Sequence, residues 1–193
     1  MDMVFVRQGE YLKGDQSFPL IRKCFSLYSA GRAFDAEPEI KRDDWGRLYF
    51  VFDGTEDSTV DLSITHSGDI WMCMISDRRC GIDFQYVRNA EKQGISDRFF
   101  GEGEQAYIEN GGDFFDVWCR KEALGKYMGG GFFDNADTCP GGTPAGEMVI
   151  EGQTIYIRNI TQEMLKKAGI DTASPSQAAY VSETGVQPDI VRI

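Results

Sequence analysis

Three residues carry most of the chemistry this chain can offer: Asp83 in Cys80-Gly81-Ile82-Asp83, and Glu122 and Lys126 in Trp118-Cys119-Arg120-Lys121-Glu122-Ala123-Leu124-Gly125-Lys126. Asp83 sits between the apolar residues Ile82 and Phe84, two places after a glycine that lets another backbone come close. A carboxylate in such a strand calls for a specific partner, because isolated burial of a charge is costly. Glu122 and Lys126 are four apart, so a helix stacks them on one face, beside Trp118. Two acids and a lysine gathered from distant positions make a site for a hard divalent cation and a phosphate ester. Each residue alone also has a plainer reading. Glu122 and Lys126 could form an exposed i,i+4 pair worth ~0.2–0.5 kcal/mol, Asp83 could cap a turn, and Lys121 could be a solvated lysine. Trp118 on the same side is what solvation does not explain.

A second group lies upstream in Ser63-Ile64-Thr65-His66-Ser67. His66 is the chain's one histidine, set between hydroxyls that suit hydrogen bonding to a phosphate. One histidine builds no multi-histidine metal site. There is no G-x-S-x-G elbow for a Ser/His/Asp hydrolase and no G-x-x-x-x-G-K-[ST] loop for a P-loop enzyme. Gln85 follows Asp83 by two, so a strand points both side chains to one face.

The elements that must position these groups follow from periodicity. Residues 60–65 alternate as a strand, 70–75 form an apolar run typical of a buried strand, and Ser67-Gly68-Asp69 makes the hairpin turn. Residues 80–87 form the strand that carries Asp83. Helices are predicted over 20–31, 95–100, 102–109 and 114–128, the last stopped by Gly129-Gly130-Gly131. Strands over 48–52, 147–150, 155–160, 178–182 and 190–193, and a helix from Thr161 to Ala168, complete the reading. Each half is helix plus hairpin strands, with no residue-level repeat, and the class is α+β with mostly antiparallel sheets. The break at Asp77-Arg78-Arg79 divides the chain into 1–78 and 79–193.

Composition narrows the function classes. With 41% hydrophobic residues and 13 phenylalanines in 193 residues, the chain can bury a sizeable core. A formal charge of −11 argues against a nucleic-acid partner and against a polybasic membrane anchor. Five cysteines, odd in number and without a CxxC pair, fit neither a zinc site nor a disulfide framework. With reduced cysteines, no basic leader and no apolar run of bilayer length, the expectation is a cytoplasmic protein, and two halves in one chain suit a monomer.

In order along the chain, five elements resemble those of the 4′-phosphopantetheinyl transferases of the surfactin-synthetase-activating (Sfp) type. They are Trp45-Gly46-Arg47, Thr65-His66-Ser67, Gly81-Ile82-Asp83, Arg98-Phe99-Phe100-Gly101-Glu102-Gly103-Glu104 and the Trp118 to Lys126 motif, with Glu122 39 positions after Asp83. The likeness covers residues 45–128. It implies a pseudo-dimer of two similar α/β halves, and Mg²⁺-dependent transfer of the 4′-phosphopantetheine arm of coenzyme A to a serine of an acyl or peptidyl carrier protein, releasing 3′,5′-ADP. The resemblance implies that Asp83, Glu122 and Gln85 hold the metal, with Glu122 taking the serine proton. Lys126 and His66 then complete the catalytic set. Arg47, Ser63, Thr65, His66, Lys121 and Lys126 would contact coenzyme A, with Lys13, Arg22 and Lys23 as candidates for its 3′-phosphate.

The chain departs from the family where Gln85 stands in place of a second acid, Arg47 in place of a lysine, and Leu48 in place of a proline. Gln85 motivates an alternative, a catalytically weakened module of the same family that binds coenzyme A or a carrier protein. Phe99, Phe100, Phe114 and Phe115 are candidates for an apolar carrier-docking patch.

Overall fold

Two apolar runs, residues 3–6 and 70–75, become neighbouring central strands. The computed structural model describes the whole chain except residues 11, 13, 33, 35, 57, 58, 90, 91, 130–135 and 173. In chain order the elements of the first half are β1 (Asp2–Gln8), α1 (Phe18–Ser29), β2 (Glu39–Arg42), β3 (Leu48–Phe52), β4 (Thr55–Glu56), β5 (Asp61–Ser67) and β6 (Ile70–Ser76). There follow β7 (Cys80–Tyr86), α2 (Lys92–Phe99), α3 (Glu102–Glu109), α4 (Phe114–Met128), β8 (Glu147–Ile150), β9 (Gln153–Asn159), α5 (Gln162–Lys167), β10 (Ser176–Ser182) and β11 (Asp189–Arg192). The predicted α+β class with mostly antiparallel sheets is the one found. The additions are the seven-residue β1 and the short β2 and β4, none of which the periodicity predicts.

One sheet has the order β11-β1-β6-β5, a second β7-β10-β9-β8, and β2-β3-β4 form a small third sheet. The two large sheets repeat one topology. In each, an opening strand (β1, β7) leads to a helix (α1, α4) and then to two more strands (β5 and β6, β9 and β10). The last of these pairs between the other two, antiparallel to both. The repeat is therefore topological, which is why no residue-level repetition betrays it.

The same alternation explains the cores. Val4, Val6, Met72 and Met74 from the first sheet meet Ile82, Phe84 and Tyr180 from the second in one shared apolar layer. Phe5, Trp71, Cys73 and Ile75 face the other way, onto α1 and β3. On the far side of the second sheet, Ala179, Val181, Ile155 and Ile157 pack against Cys119, Ala123, Leu124 and Tyr127 of α4. β6 is apolar without alternation because both of its faces are covered. The sequence break falls between β6 and β7, but β11 crosses back to pair parallel with β1. Residues 189–192 thus belong to the sheet of the first half, and the two stretches of chain do not separate cleanly.

Candidate functional site

The site is built where β5, β7 and α4 meet. Period-two geometry turns Ile82 and Phe84 of β7 into the shared core and Gly81, Asp83 and Gln85 toward α4. A Cβ at Gly81 would run into the backbone carbonyl of Ala123, so only glycine lets α4 lie this close to the strand. The helix opens with Asp113, whose carboxylate accepts from the Phe115 amide at 2.7 Å, and closes at Gly129 in the left-handed region (φ 79°). The expected stop thus begins at Gly129; Gly130 and Gly131 lie outside the described residues. The caps set the ends of α4, and the contacts of Gly81 and Lys126 across the junction bring Glu122 and Lys126 to Asp83.

Asp83 is 3% exposed, and both of its donors reach the same oxygen. Thr65 Oγ1 donates to Oδ1 at 2.9 Å, and Lys126 Nζ donates to Oδ1 at 2.8 Å and to the Ile82 carbonyl at 2.9 Å. Asp83 Oδ2 is buried and has no hydrogen-bond partner among the described residues. Lys126 thus pairs with Asp83 across the strand-helix junction, and the exposed i,i+4 reading does not describe it. Burial, and then the Asp83 charge, push the Glu122 carboxyl up to about 7, with Lys126 opposing. Burial and Lys126 push His66 below its ordinary value, against the pull of Asp83. Two neighbouring acids that share one lysine, with a buried oxygen unanswered, form a site that fits a divalent cation. Among the described residues, no three His, Cys, Asp or Glu side chains gather as a metal cluster. A cation here would take two carboxylates and fill its shell from Gln85, water or a ligand. Gln85 Oε1 accepts from Ser67 Oγ at 3.4 Å.

Beside this junction opens a cavity of about 240 Å³ whose lining includes Trp45, Arg47, Leu48, Ser63, Ile64 and Lys126. Arg47 is held by the Asp61 carboxylate and donates to the Lys126 carbonyl at 3.0 Å, at the C-terminal end of α4. Trp45 is 87% exposed in the β2–β3 turn, a large apolar ring with no folding reason to face water. Ser63 and Thr65 are buried, and their hydroxyls accept backbone N–H groups of Ile82 (3.1 Å) and Phe84 (3.2 Å).

Lys121 is not brought into this group. It is 3% exposed, its ammonium 2.9 Å from the fully buried Glu104 and 3.0 Å from the Ala136 carbonyl. A helix turns adjacent residues about 100° apart, so when Glu122 faces the site Lys121 faces the α3 side. Of the four phenylalanines considered for docking, Phe100, Phe114 and Phe115 are buried in one cluster and only Phe99 is partly exposed. Arg22 and Lys23 are exposed on α1, while Lys13 lies outside the described residues. Two partners were missed at the sequence level: Glu104, hidden in the Arg98 to Glu104 element, and Asp61. The signal for Asp61 was the polar alternation Asp61, Ser63, Thr65, Ser67 along one strand.

Residues 79–166, the stretch that carries Asp83, Glu122 and Lys126, match the family model described as the 4′-phosphopantetheinyl transferase superfamily. Over that stretch the chain is similar to the superfamily. Arg47, Ser63, Thr65 and His66 lie before the matched stretch. A curated relative, the 4′-phosphopantetheinyl transferase gsp of Aneurinibacillus migulanus, is 25% identical over 99 residues, which is 48% of this chain and 39% of the relative. The aligned part therefore spans well under half of that relative's length. No helix among the described residues is long and apolar enough to cross a membrane.

Proposed function

We propose that this protein is a 4′-phosphopantetheinyl transferase of the Sfp type, moving the phosphopantetheine arm of coenzyme A to a carrier-protein serine. The observation that carries this reading is the convergence of Asp83, Glu122 and Lys126 at one junction, inside the stretch that matches the superfamily and beside a cavity rimmed by Trp45 and Arg47. In the reaction the serine Oγ–P bond forms and the P–O bond to the 3′,5′-ADP portion breaks.

Asp83 Oδ2 and Glu122 are the residues that would hold Mg²⁺, with Gln85 as a third donor. Bound there, Mg²⁺ supplies charge neutralisation on the pyrophosphate. Glu122, with a carboxyl near neutrality, is suited to accept the serine proton at an Oε atom. Lys126 brings the positive charge that the departing phosphate needs. Arg47, on the cavity wall, and His66, two places along β5 from the cavity-lining Ile64, would bind the nucleotide phosphates. Trp45 offers a flat face to the purine.

The test is formation of 3′,5′-ADP from coenzyme A, an apo carrier protein and Mg²⁺. Wild-type protein should release it in step with carrier modification, and Glu122→Gln should lower the rate by ~10²–10⁴. A protein that binds coenzyme A but forms no 3′,5′-ADP with several carriers would support the binding-module alternative.

A further inference from the structure

We infer that Thr65 is a positioning residue for Asp83, acting from the other half of the molecule, and not a contact to coenzyme A. This rests on the reading of Asp83 as a cation ligand.

The strands β5 and β7 are edges of different sheets and are joined by side chains. Alternate residues of β5 accept the alternate backbone N–H groups of β7. Asp61 takes Cys80 at 2.9 Å, Ser63 takes Ile82 at 3.1 Å, Thr65 takes Phe84 at 3.2 Å and Ser67 takes Tyr86 at 3.2 Å. Each rung joins residues 19 apart. The residues between them, Leu62, Ile64 and His66, point to the opposite face of the strand, so a one-residue slip would break every rung. The ladder therefore fixes the register of one half against the other.

Thr65 and Ser67 each also donate to a β7 side chain, and Thr65 is the rung whose acceptor is a carboxylate. The Thr65 hydroxyl has a single hydrogen, and that hydrogen is directed at Asp83 Oδ1 while the oxygen accepts from Phe84. At 5% exposure, the group is fully committed inside the protein. Lys126 reaches the same Oδ1, so both donors anchor one oxygen and leave Oδ2 buried and unanswered among the described residues. A carboxylate held in this way presents one defined oxygen to a cation. A branched Cβ restricts the side-chain rotation of Thr65, which favours threonine over serine at this rung. The cation site is thus set by the docking of the two halves as well as by its own residues.

The experiment is Mn²⁺ binding to the full chain with coenzyme A present, read from the spectrum of free Mn²⁺ and paired with melting temperatures. Thr65→Val should weaken Mn²⁺ binding by about 10- to 100-fold, and Thr65→Ser should recover most of it. Ile21→Val, in the α1 core, should lower the melting temperature yet leave Mn²⁺ affinity unchanged. If Thr65→Val does not fold, Thr65→Cys keeps the volume with a weaker donor and should bind less well than Thr65→Ser. Wild-type affinity in Thr65→Val, or in Thr65→Cys where that variant is used, would overturn the inference while leaving the transferase reading intact. Wild-type protein that binds no Mn²⁺ would overturn both.

Discussion

At the scale of single residues, the site is defined by an imbalance of charge. Asp83 and Glu122 share Lys126, and the shortfall appears as a Glu122 carboxyl that holds its proton up to about 7, chiefly through burial. The sign for stability follows. Between the ordinary carboxylate range and about 7 the folded state binds more protons than the unfolded state, so stability falls as pH rises through that window. Without divalent cation, Glu122→Gln should stabilise the protein more at pH ~8 than at pH ~4.5, as read by denaturant midpoints at the two values. An equal effect at both would show that Glu122 titrates as an ordinary surface acid. Adding Mg²⁺ with coenzyme A should narrow the wild-type loss at high pH, because a ligand that binds only the folded state stabilises it.

At the scale of elements, the decisive contact is α4 lying on β7 at Gly81. Gly81→Ala forces a methyl against the Ala123 carbonyl and the Tyr127 amide, both rigid backbone atoms. The expected cost is ~1–3 kcal/mol or more in urea unfolding, with coenzyme A binding lost from the fraction that still folds. A neutral Gly81→Ala would mean that α4 is not held this close. Most elements around the site were legible because their signals are local. The helix Phe114–Met128 has a capping aspartate and a closing glycine, and the run 70–75 is apolar enough to be a doubly covered strand. Asp83, Glu122 and Lys126 were legible from motif and spacing. What the sequence hid depends on partners far along the chain. β1 reads as an ordinary N-terminal stretch until β6 and β11 pair with it on both sides. Likewise, Lys121 looks like a site lysine until Glu104, 17 residues earlier, is seen beneath it. Phe114 and Phe115 look like a surface patch until α2 and α3 cover them.

At the scale of the whole molecule, the two halves are bound through one shared apolar layer and through polar links. One link is the β5–β7 ladder. Another is the buried Asp2, whose carboxylate accepts from Ser76 of the first sheet and from Ser182 and Thr184 of the second half, each at 2.6 Å. Removing that acceptor takes a hydrogen-bond partner from three hydroxyls, so Asp2→Ala should cost roughly 1–3 kcal/mol. Calorimetry should still show a single transition, because the core between the sheets leaves neither half an independent fold. Two separate transitions would mean the halves are autonomous domains. This joint construction matters for function, since the proposed coenzyme A contacts Arg47 and His66 come from one half and Asp83, Glu122 and Lys126 from the other. The most direct measurement is the intact mass of an apo carrier protein after incubation with this protein, coenzyme A and Mg²⁺. A transferase centre predicts a gain of one phosphopantetheine on the carrier, abolished by chelator and by Glu122→Gln. An unchanged carrier mass across acyl and peptidyl carriers, with coenzyme A bound, would contradict it.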